Sequence, residues 1–361
     1  MNKLKKINLM ISTDSEGQGG IATVILGYRK EKLIDDLAFT LINTHSSANT
    51  NNVSAIAQFL FSLIKITFYG VFNNLGIAHI HMASRGSYTR KSIILRLAKF
   101  FGAKTVIHLH GAEFETFYNE ECSESKKQHI RNTFNIADRI IVLSSQWLKW
   151  VHTIVTDKNK VCVVYNAVPE LNLPKKNSRH KNILFLGRLG QRKGVEDLIN
   201  AFAQIASNFP HAQLQLGGDG DVAKYQAQVT KLGITKQVSF LGWIEGAIKN
   251  QYLADATIYC LPSYNEGFPM GILEAMSAEV AVIASTTGGI PDAITNNKEG
   301  LLVEAGDVNA LGKALTIMLS DDNQREKYIT AAKVKFQNNF THHIIIPQLK
   351  GIYKELLENK K

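Results

Sequence analysis

The chain has 361 residues, of which 45% are hydrophobic and 20% are charged, and its formal net charge at pH 7 is +10. This composition excludes a disordered or collagen-like chain, and the length favours two domains over a single core. The three cysteines are too few and too widely spaced for a disulfide framework or a zinc ribbon. No early apolar run is long enough for a signal peptide, so a cytoplasmic protein is expected.

Short apolar strands alternate with longer helical patterns through the first 170 residues. The strands are rich in β-branched residues and almost continuously apolar, as expected where helices cover both faces of a parallel sheet. They are predicted at Ile7–Ile11, Leu37–Ile42, Ala78–His81, Thr105–Leu109, Arg139–Leu143 and Val161–Val164, with helices near 20–31, 53–70, 89–101, 125–137 and 145–153. This alternation predicts a doubly wound α/β domain.

A second α/β series follows a polar, aperiodic stretch over residues 171–180, which is predicted to be a linker. Its strands are predicted at Asn182–Leu186, Gln213–Leu216, Val238–Leu241, Thr257–Leu261 and Val280–Ala284. The predicted domains are therefore 1–170 and 181–340, followed by a helix over 341–361 that packs back on the first domain. Ligands of open α/β sheets bind beyond the carboxyl ends of the strands, so we expect a cleft shared by the two domains.

The segment Val53–Leu75 is apolar apart from Lys65 and a few small polar residues. Its simplest interpretation is a helix packed in the core. The alternative is a helix lying at a membrane interface, which its aromatic residues would suit, namely Phe59, Phe61, Phe68 and Tyr69. Gln58 and Lys65 interrupt the segment and argue against a membrane span.

The basic excess is concentrated in the first half of the chain. Residues 1–170 hold 20 lysines and arginines against 13 acidic residues, a net charge of +7, which leaves +3 for the remainder. No run of five like charges and no RNA-binding aromatic motif is present, so no nucleic acid partner is expected. We expect the first domain to dock electrostatically on an anionic membrane surface, with release at high salt. The alternative is that the charge serves only an anionic small-molecule substrate.

Two clusters at strand ends mark the first domain. The loop from Glu16 to Gly20 could bring backbone amides close to a phosphate, or it could be a simple tight turn, since its spacing is not that of a dinucleotide site. His108 and His110 share one face of a strand, but no third metal ligand is evident from the sequence. His110, at the strand end, is the better candidate for ligand contact, and His108 is a candidate core residue.

Two further clusters mark the second domain. In the Gly187–Gly194 loop, Arg188 and Lys193 form a candidate anion site, in which the guanidinium offers a planar fork and the ammonium a point charge. Glu266 and Glu274 flank a predicted helix start at Pro269, which is expected in the first helical turn. The two carboxylates are too far apart for a glycosidase pair but suit an extended ligand with phosphates between them.

Together these motifs resemble the retaining glycosyltransferases of family 4, also called glycosyl transferases group 1. The resemblance rests on Gly187-Arg188-Leu189 with Lys193-Gly194, Gly217–Gly220, Glu266-x7-Glu274 and Gly288–Pro291, and it extends over essentially the whole chain. It implies a GT-B fold, with two Rossmann-like doubly wound parallel-sheet domains facing across a cleft. It also implies a nucleotide-sugar donor held mainly by the second domain.

The resemblance assigns expected roles to individual residues. Catalytic contacts are implied for His110 and Glu266 with the donor sugar and for Arg188 and Lys193 with the diphosphate. Glu274 is expected to bind the ribose. The remaining donor-binding residues are the loop glycines Gly19 and Gly20, Gly242 and Trp243 near the base, and Phe268, Met270 and Gly271 through their amides.

The expected activity is that of a metal-independent hexosyltransferase without cofactors. The family resemblance implies a donor, with a UDP-sugar favoured over GDP- or ADP-sugars, and a glycan or lipid-linked acceptor from surface polysaccharide assembly. A peripheral position at the inner face of the plasma membrane would then follow. The alternatives are a GT-B nucleotide-sugar epimerase, a nicotinamide-linked oxidoreductase, which the missing dinucleotide fingerprint disfavours, and a non-catalytic membrane-associated nucleotide-sugar-binding module.

Overall fold

Two parallel sheets organise the protein, one in each of two units. A computed structural model describes residues 6–14, 17, 19–45, 52–174 and 181–358. Unit 1 combines Met1–Ala167 with His342–Lys361, and unit 2 is Val168–Thr341. Most of the predicted linker, residues 175–180, lies outside the described residues.

Unit 1 contains a six-stranded sheet in the order β2-β1-β3-β4-β5-β6, with every described strand pair parallel. Its elements are β1 (Lys6–Ser12), α1 (Gly20–Lys30), α2 (Leu33–Asp36), β2 (Phe39–Asn43), α3 (Asn52–Phe72), β3 (Asn74–Met82), α4 (Gly86–Phe100), β4 (Lys104–Leu109), α5 (Phe114–Thr116), a π-helical turn (Phe117–Glu121), α6 (Glu124–Ile136), β5 (Arg139–Val142), α7 (Ser145–Ile154) and β6 (Val161–Val163). Eight of the nine residues of β3 are buried, as the continuous apolar pattern of the central strands requires.

Unit 2 repeats this architecture with the order β12-β11-β10-β7-β8-β9. Its elements are β7 (Lys181–Leu186), α8 (Val195–Ile205), β8 (Ala212–Gly217), α9 (Val222–Lys231), β9 (Val238–Gly242), α10 (Gly246–Asp255), β10 (Ala256–Leu261), α11 (Met270–Ser277), β11 (Ala281–Ser285), α12 (Ile290–Ala293), β12 (Leu301–Val303), α13 (Val308–Ser320) and α14 (Asp322–Asn339). The sequence prediction omits the short edge strand β12, whereas it includes the equally short edge strand β6.

The last helix, α15 (His342–Glu358), belongs to unit 1. Tyr353 is buried there, and its hydroxyl lies 2.6 Å from Nδ1 of His79. Two surface ion pairs tie the same helix to this unit, from Lys350 to Asp36 at 2.8 Å and from Arg139 to Glu355 at 2.9 Å.

Helix α3 contradicts its simplest sequence interpretation, because it is not packed within the core. Only Ser62 and Ile66 are buried among its described side chains, and Phe59, Leu63 and Tyr69 pack partly against the core. The opposite side exposes apolar residues to solvent. The prediction of a core-packed helix is therefore wrong: the apolar pattern that it rested on continues around the helix, whereas the protein covers only one side.

Candidate active site

The sheet of unit 2 reverses its strand order between β7 and β10. From β7 the chain proceeds outward through β8 and β9, and from β10 it proceeds in the other direction through β11 and β12. The loops that follow these two central strands are 187–194 and 262–269. They lead to opposite halves of the sheet and so mark its topological switch point. This is the place where open α/β sheets bind ligands.

The loop after β7 touches the loop after β10 at Gly194. This glycine has a φ of 69° and precedes α8, and a Cβ at this position would overlap the carbonyl oxygen of Pro262. Only glycine fits this combination of a left-handed backbone and close approach. The contact fixes the position of Lys193, which immediately precedes Gly194, whereas Arg188 lies earlier in the loop with its side chain exposed.

Lys193 and Glu266 form an ion pair that joins these two loops. The Lys193 Nζ lies 2.5 Å from Oε1 of Glu266, and the hydroxyl of Ser263 donates to the same oxygen at 2.7 Å. Ser263 is itself held by Ser285, whose hydroxyl donates to its carbonyl oxygen at 2.5 Å. Glu266 is only 5% exposed, so its charge requires these partners.

A third loop braces the backbone at Glu266. Gly288, after β11, has a φ of 59°, and a Cβ there would overlap the carbonyl oxygen of Glu266. The N–H of Gly289 donates to the carbonyl oxygen of Gly267 at 2.9 Å. The predicted Gly288–Pro291 motif thus packs against the predicted glutamate motif, and it requires glycine at the point of contact.

Helix α11 begins between the two glutamates. Pro269 is the N-cap, with an extended backbone (φ −75°, ψ 120°), and so precedes the first turn rather than lying within it as predicted. Because the first N–H groups of a helix lack intrahelical acceptors, Met270 and Gly271 present donors at the positive end of α11. The Phe268 side chain is buried, with its ring centroid 5.4 Å from that of Phe340, which leaves only its backbone for a ligand.

Glu274 lies within α11 and pairs with a residue that the sequence did not indicate. Nζ of Lys249, on α10, lies 2.6 Å from Oε1 of Glu274, and both side chains are largely buried. Lys249 gave no signal in the sequence because it belongs to another βα repeat. Burial, reinforced by the charges of Glu274 and Glu266, raises the pKa of Tyr259, whose hydroxyl donates to the Leu186 carbonyl oxygen at 3.3 Å.

Gly242 and Trp243 lie at the carboxyl end of β9. Gly242 ends the strand, and its carbonyl oxygen accepts a hydrogen bond from the N–H of Gly218 at 2.8 Å. The Trp243 ring is 43% exposed, and its Nε1–H donates to Oε2 of Glu245 at 3.2 Å. Both residues therefore lie at the same edge of the sheet as the switch-point loops.

In unit 1, the predicted glycine loop follows β1. Gly19 is the N-cap of α1 and Gly20 its first residue, and both are exposed. The N–H of Thr23 donates to the Gly19 carbonyl oxygen at 3.1 Å, which closes the first helical turn. Glu16 and Gln18 of the predicted motif lie outside the described residues.

His110, directly after β4, belongs to a cluster of four histidines with His79 and His81 of β3 and His108 of β4. The register pairs His81 with His108, and alternation places His79, His81, His108 and His110 on one face of the sheet. Nε2 of His79 lies 3.0 Å from Nδ1 of His108, and Nδ1 of His81 lies 2.8 Å from Nε2 of His110. Burial lowers the pKa of His79 and of His110 to about 3, and it also lowers those of the other two.

This cluster includes the third nitrogen ligand that the sequence did not reveal. The ligand atoms of His79, His81 and His108 lie within 4.8 Å of one another, and Nε2 of His81 and of His108 are buried without a hydrogen-bond partner. Comparing the His-x-His pairs of the two adjacent strands could have predicted it. An all-imidazole set suits a transition metal rather than the oxygen-seeking Mg²⁺ of nucleotide sites.

Residues 170–335 match the family model described as glycosyl transferases group 1. The matched segment is slightly less than half of the chain. It contains both switch-point loops and therefore Arg188, Lys193, Glu266 and Glu274. The segment that holds the predicted motifs of the second domain is thus the segment that matches the family model.

The curated relatives that the chain matches include proteins named as glycosyltransferases. An uncharacterized glycosyltransferase of Methanocaldococcus jannaschii is 28% identical over 271 residues, which is 69% of this chain and 64% of that protein. A phosphatidyl-myo-inositol mannosyltransferase of Mycobacterium leprae is 32% identical over 176 residues, covering 48% of this chain and 46% of that protein. The chain thus spans about half to two thirds of the length of these relatives.

Solved structures confirm the predicted GT-B fold. A sucrose-phosphate synthase from Thermosynechococcus elongatus gives a TM-score of 0.82 at 20% identity, covering 99% of this chain and all of that one. Anabaena HepE in complex with UDP-glucose gives a TM-score of 0.75 at 18% identity, covering 97% and 100%. Identities this low support the fold alone.

Proposed function

We propose that this group 1 glycosyltransferase moves a sugar from a nucleotide-sugar donor to a glycan acceptor with retention of configuration, and without a metal or cofactor. The observation that carries the proposal is the Lys193–Glu266 pair at the switch point of unit 2. A fixed cation, a fixed carboxylate and a helix start lie together where such sheets bind ligands. They match the charges and hydroxyls of a sugar joined to a diphosphate.

Arg188 and Lys193 are proposed to stabilise the negative charge that develops on the leaving diphosphate during transfer. When the bond between the anomeric carbon and the phosphate oxygen breaks, its electron pair passes to the diphosphate. The groups that would stabilise this charge are Arg188, Lys193 and the first amides of α11. Because they are already in place, the protein need not rearrange during the reaction. The acceptor hydroxyl forms the new bond to the anomeric carbon on the face that the phosphate leaves, and its proton passes to the departing phosphate.

The carboxylates would hold the two ends of the donor. Glu266 is proposed to accept hydrogen bonds from the sugar hydroxyls, because its carboxylate is already oriented by Ser263 and Lys193. Glu274 is proposed to bind the ribose, with Trp243 and Gly242 near the base and the Phe268 backbone near the sugar. Contacts from Gly19, Gly20 and His110 of unit 1 stay predictions from the family resemblance.

Two similar proteins support the proposed donor and acceptor classes. The Anabaena structure holds UDP-glucose, which favours a UDP-sugar as donor. The Mycobacterium leprae relative is named for a phosphatidylinositol acceptor, which favours a lipid-linked acceptor, as in surface polysaccharide assembly. We propose a cytoplasmic enzyme that works at the inner face of the plasma membrane.

Product analysis tests this proposal against its main alternative. The purified protein would be incubated with UDP-sugars, with and without a lipid extract as acceptor source, and the products separated by chromatography and mass spectrometry. We expect sugar transfer and UDP release only with the acceptor, and a strong loss in Arg188→Ala. Conversion of the donor to a different UDP-sugar without acceptor would identify an epimerase instead, and intact donor in every mixture would support a binding module.

A further inference from the structure

We propose that the outward side of α3, together with Ile93 and Phe100 of α4, docks this protein onto an anionic lipid bilayer. We call this surface the α3 face. It consists of ten exposed apolar side chains: Val53, Ile56, Leu60, Phe61, Ile64, Phe68, Val71 and Phe72 on α3, and Ile93 and Phe100 on α4. The proposal goes beyond sugar transfer, since it involves none of the residues of the donor site.

The α3 face is a continuous stripe. Its α3 members recur every three or four residues, the spacing that places side chains on one side of a helix, and each is more than half exposed. The described residues include seventeen exposed large apolar side chains, and ten of them lie on this one face. The remaining seven are scattered. Ten such side chains expose on the order of 1,000 Å² of apolar surface, more than the few hundred Å² usual for soluble monomers.

The buried side of α3 holds the helix against unit 1. Ser62 and Ile66 are buried, and the ring of Phe101 lies against Gly70, which leaves no room for a side chain there. The Phe101 ring also contacts that of Phe100, with centroids 5.2 Å apart, and so links the α4 end of the face to α3.

The topology requires α3 to lie along a bilayer rather than across it. By length and composition the segment Val53–Phe72 could cross a membrane, with a mean hydropathy of 1.6, but only 11% of its most apolar window is buried in the protein. The strands before and after it, β2 and β3, run parallel in one sheet on either side of β1. A spanning α3 would separate those strands by the thickness of a membrane. An interfacial helix keeps both in place.

The charge around the α3 face favours anionic lipid. Residues 37–112, which contain α3 and α4, have seven lysines and arginines and no aspartate or glutamate. Unit 1 as a whole has 24 basic against 14 acidic residues, whereas unit 2 has 17 of each, so the entire formal charge of +10 belongs to unit 1. The cations proposed to bind the diphosphate, Arg188 and Lys193, lie in the neutral unit, so the basic excess of unit 1 is separate from them.

Lys65 is placed to reach lipid headgroups. Lys65 projects from the exposed side of α3, where its Nζ lies 4.7 Å from the centroid of the Phe61 ring. A lysine can bury its stem among apolar groups while its ammonium reaches the phosphates. Among the described residues, Lys65, Arg96 and Lys104 have no carboxylate within ion-pair distance, whereas Arg85 and Lys99 are paired with carboxylates.

A second copy of the chain fits this face less well. Self-association would bring two acid-free, basic surfaces together, and like charges at an interface oppose binding. A bilayer supplies both the apolar interior for the stripe and the negative charge for its surroundings. Salt screens only the electrostatic part of this binding. Burial of apolar area is not screened, so part of the binding should survive.

Vesicle flotation with the full chain, without donor or acceptor, tests the proposal. The probes are vesicles of phosphatidylcholine alone and of phosphatidylcholine mixed with phosphatidylglycerol. The wild type should float with the mixed vesicles at low salt, and a measurable fraction should stay bound at about 1 M NaCl, where the Debye length is ~3 Å. Ile64→Asp/Phe68→Asp should weaken binding by at least ~10²-fold, since two large apolar side chains no longer insert.

A matched control distinguishes the loss of the α3 face from the effect of the added negative charge. Ile317→Asp/Val334→Asp makes the same charge change at comparably exposed apolar positions on α13 and α14, and it should bind like the wild type. Circular dichroism and thermal unfolding would verify that both variants fold. The proposal is overturned if the wild type floats with neither vesicle, or if the two double variants bind equally. It is also overturned if light scattering shows a wild-type dimer that the α3 variant dissociates, because a second copy then covers the face. Sugar transfer to a soluble acceptor is measured separately, so either proposal can fail alone.

Discussion

Nζ of Lys193 lies 2.5 Å from Oε1 of Glu266, and this pair connects the loops that leave the two central strands of unit 2. The same carboxylate oxygen accepts from Ser263, so the cation, the carboxylate and the hydroxyl form one unit. A change to any member alters the surroundings of the others. We therefore expect substitutions within the pair to be non-additive, unlike those at Arg188, which is exposed.

Arg188→Ala and Lys193→Met should each lower kcat/KM by ~10²–10³, the range for losing one preorganised donor to developing charge. Their stabilities should differ. Arg188→Ala should unfold like the wild type, whereas Lys193→Met leaves the buried Glu266 without its cation and should cost about 1–3 kcal/mol. Urea unfolding measures this, and adding Glu266→Gln to Lys193→Met should recover most of the loss. Equal stability of the two single variants would contradict the importance of the pair.

Substitutions of the two glutamates should have different effects on kcat and on the donor KM. Glu274 is assigned to the ribose, which does not react, so Glu274→Gln should raise the donor KM more than it lowers kcat. Glu266 is assigned to the reacting sugar, so Glu266→Gln should lower kcat more strongly. If both variants keep wild-type constants, the carboxylates only stabilise the loop and helix.

Activity should survive dialysis against a strong chelator. The charges assigned to the diphosphate are Arg188, Lys193 and the start of α11, and the histidine cluster in unit 1 offers nitrogen rather than oxygen ligands. The measurement is initial rate before and after EDTA, with metal analysis of the protein. Loss of activity that Mg²⁺ or Mn²⁺ restores would rule out the metal-free assignment.

Stability should fall on acidification because of the histidine cluster. In the folded protein, burial lowers the pKa of His79 and of His110 to about 3, while unfolded histidines have pKa values near ~6.5. Below pH ~6.5 the unfolded chain binds more protons, so the stabilisation present at neutral pH is lost as the pH falls from ~6.5 towards 3. Each histidine contributes up to ~1.4 kcal/mol per pH unit.

Urea unfolding at several pH values between neutral and mildly acidic measures this loss. His79→Phe should flatten the pH dependence, whereas the exposed His343→Gln should leave it unchanged. The readout is the slope with pH, since replacing His79 also removes its hydrogen bond to Tyr353 and lowers stability at every pH. Identical slopes in all three proteins would show that the cluster is not kept neutral.

The alternation of strands and helices could be predicted from the sequence, because buried parallel strands are nearly continuous apolar runs bounded by glycine and polar loops. Thus the prediction for Asn182–Leu186 differs from β7 by one residue. The surroundings of α3 could not be predicted, since an apolar helix has the same pattern whether protein or lipid covers it. In the site, spacing identified Lys193 and Glu266, but their direct contact depends on two loops 73 residues apart along the chain.

The central claim is that unit 2 holds a nucleotide-sugar through the switch-point loops. Isothermal titration of the wild type and of Arg188→Ala with a panel of UDP-, GDP- and ADP-sugars tests it most directly. We expect a UDP-sugar to bind the wild type without added metal and to bind Arg188→Ala at least ~10-fold more weakly, because one charged phosphate contact is lost. Failure of every nucleotide-sugar to bind, or equal affinity for the two proteins, would contradict it.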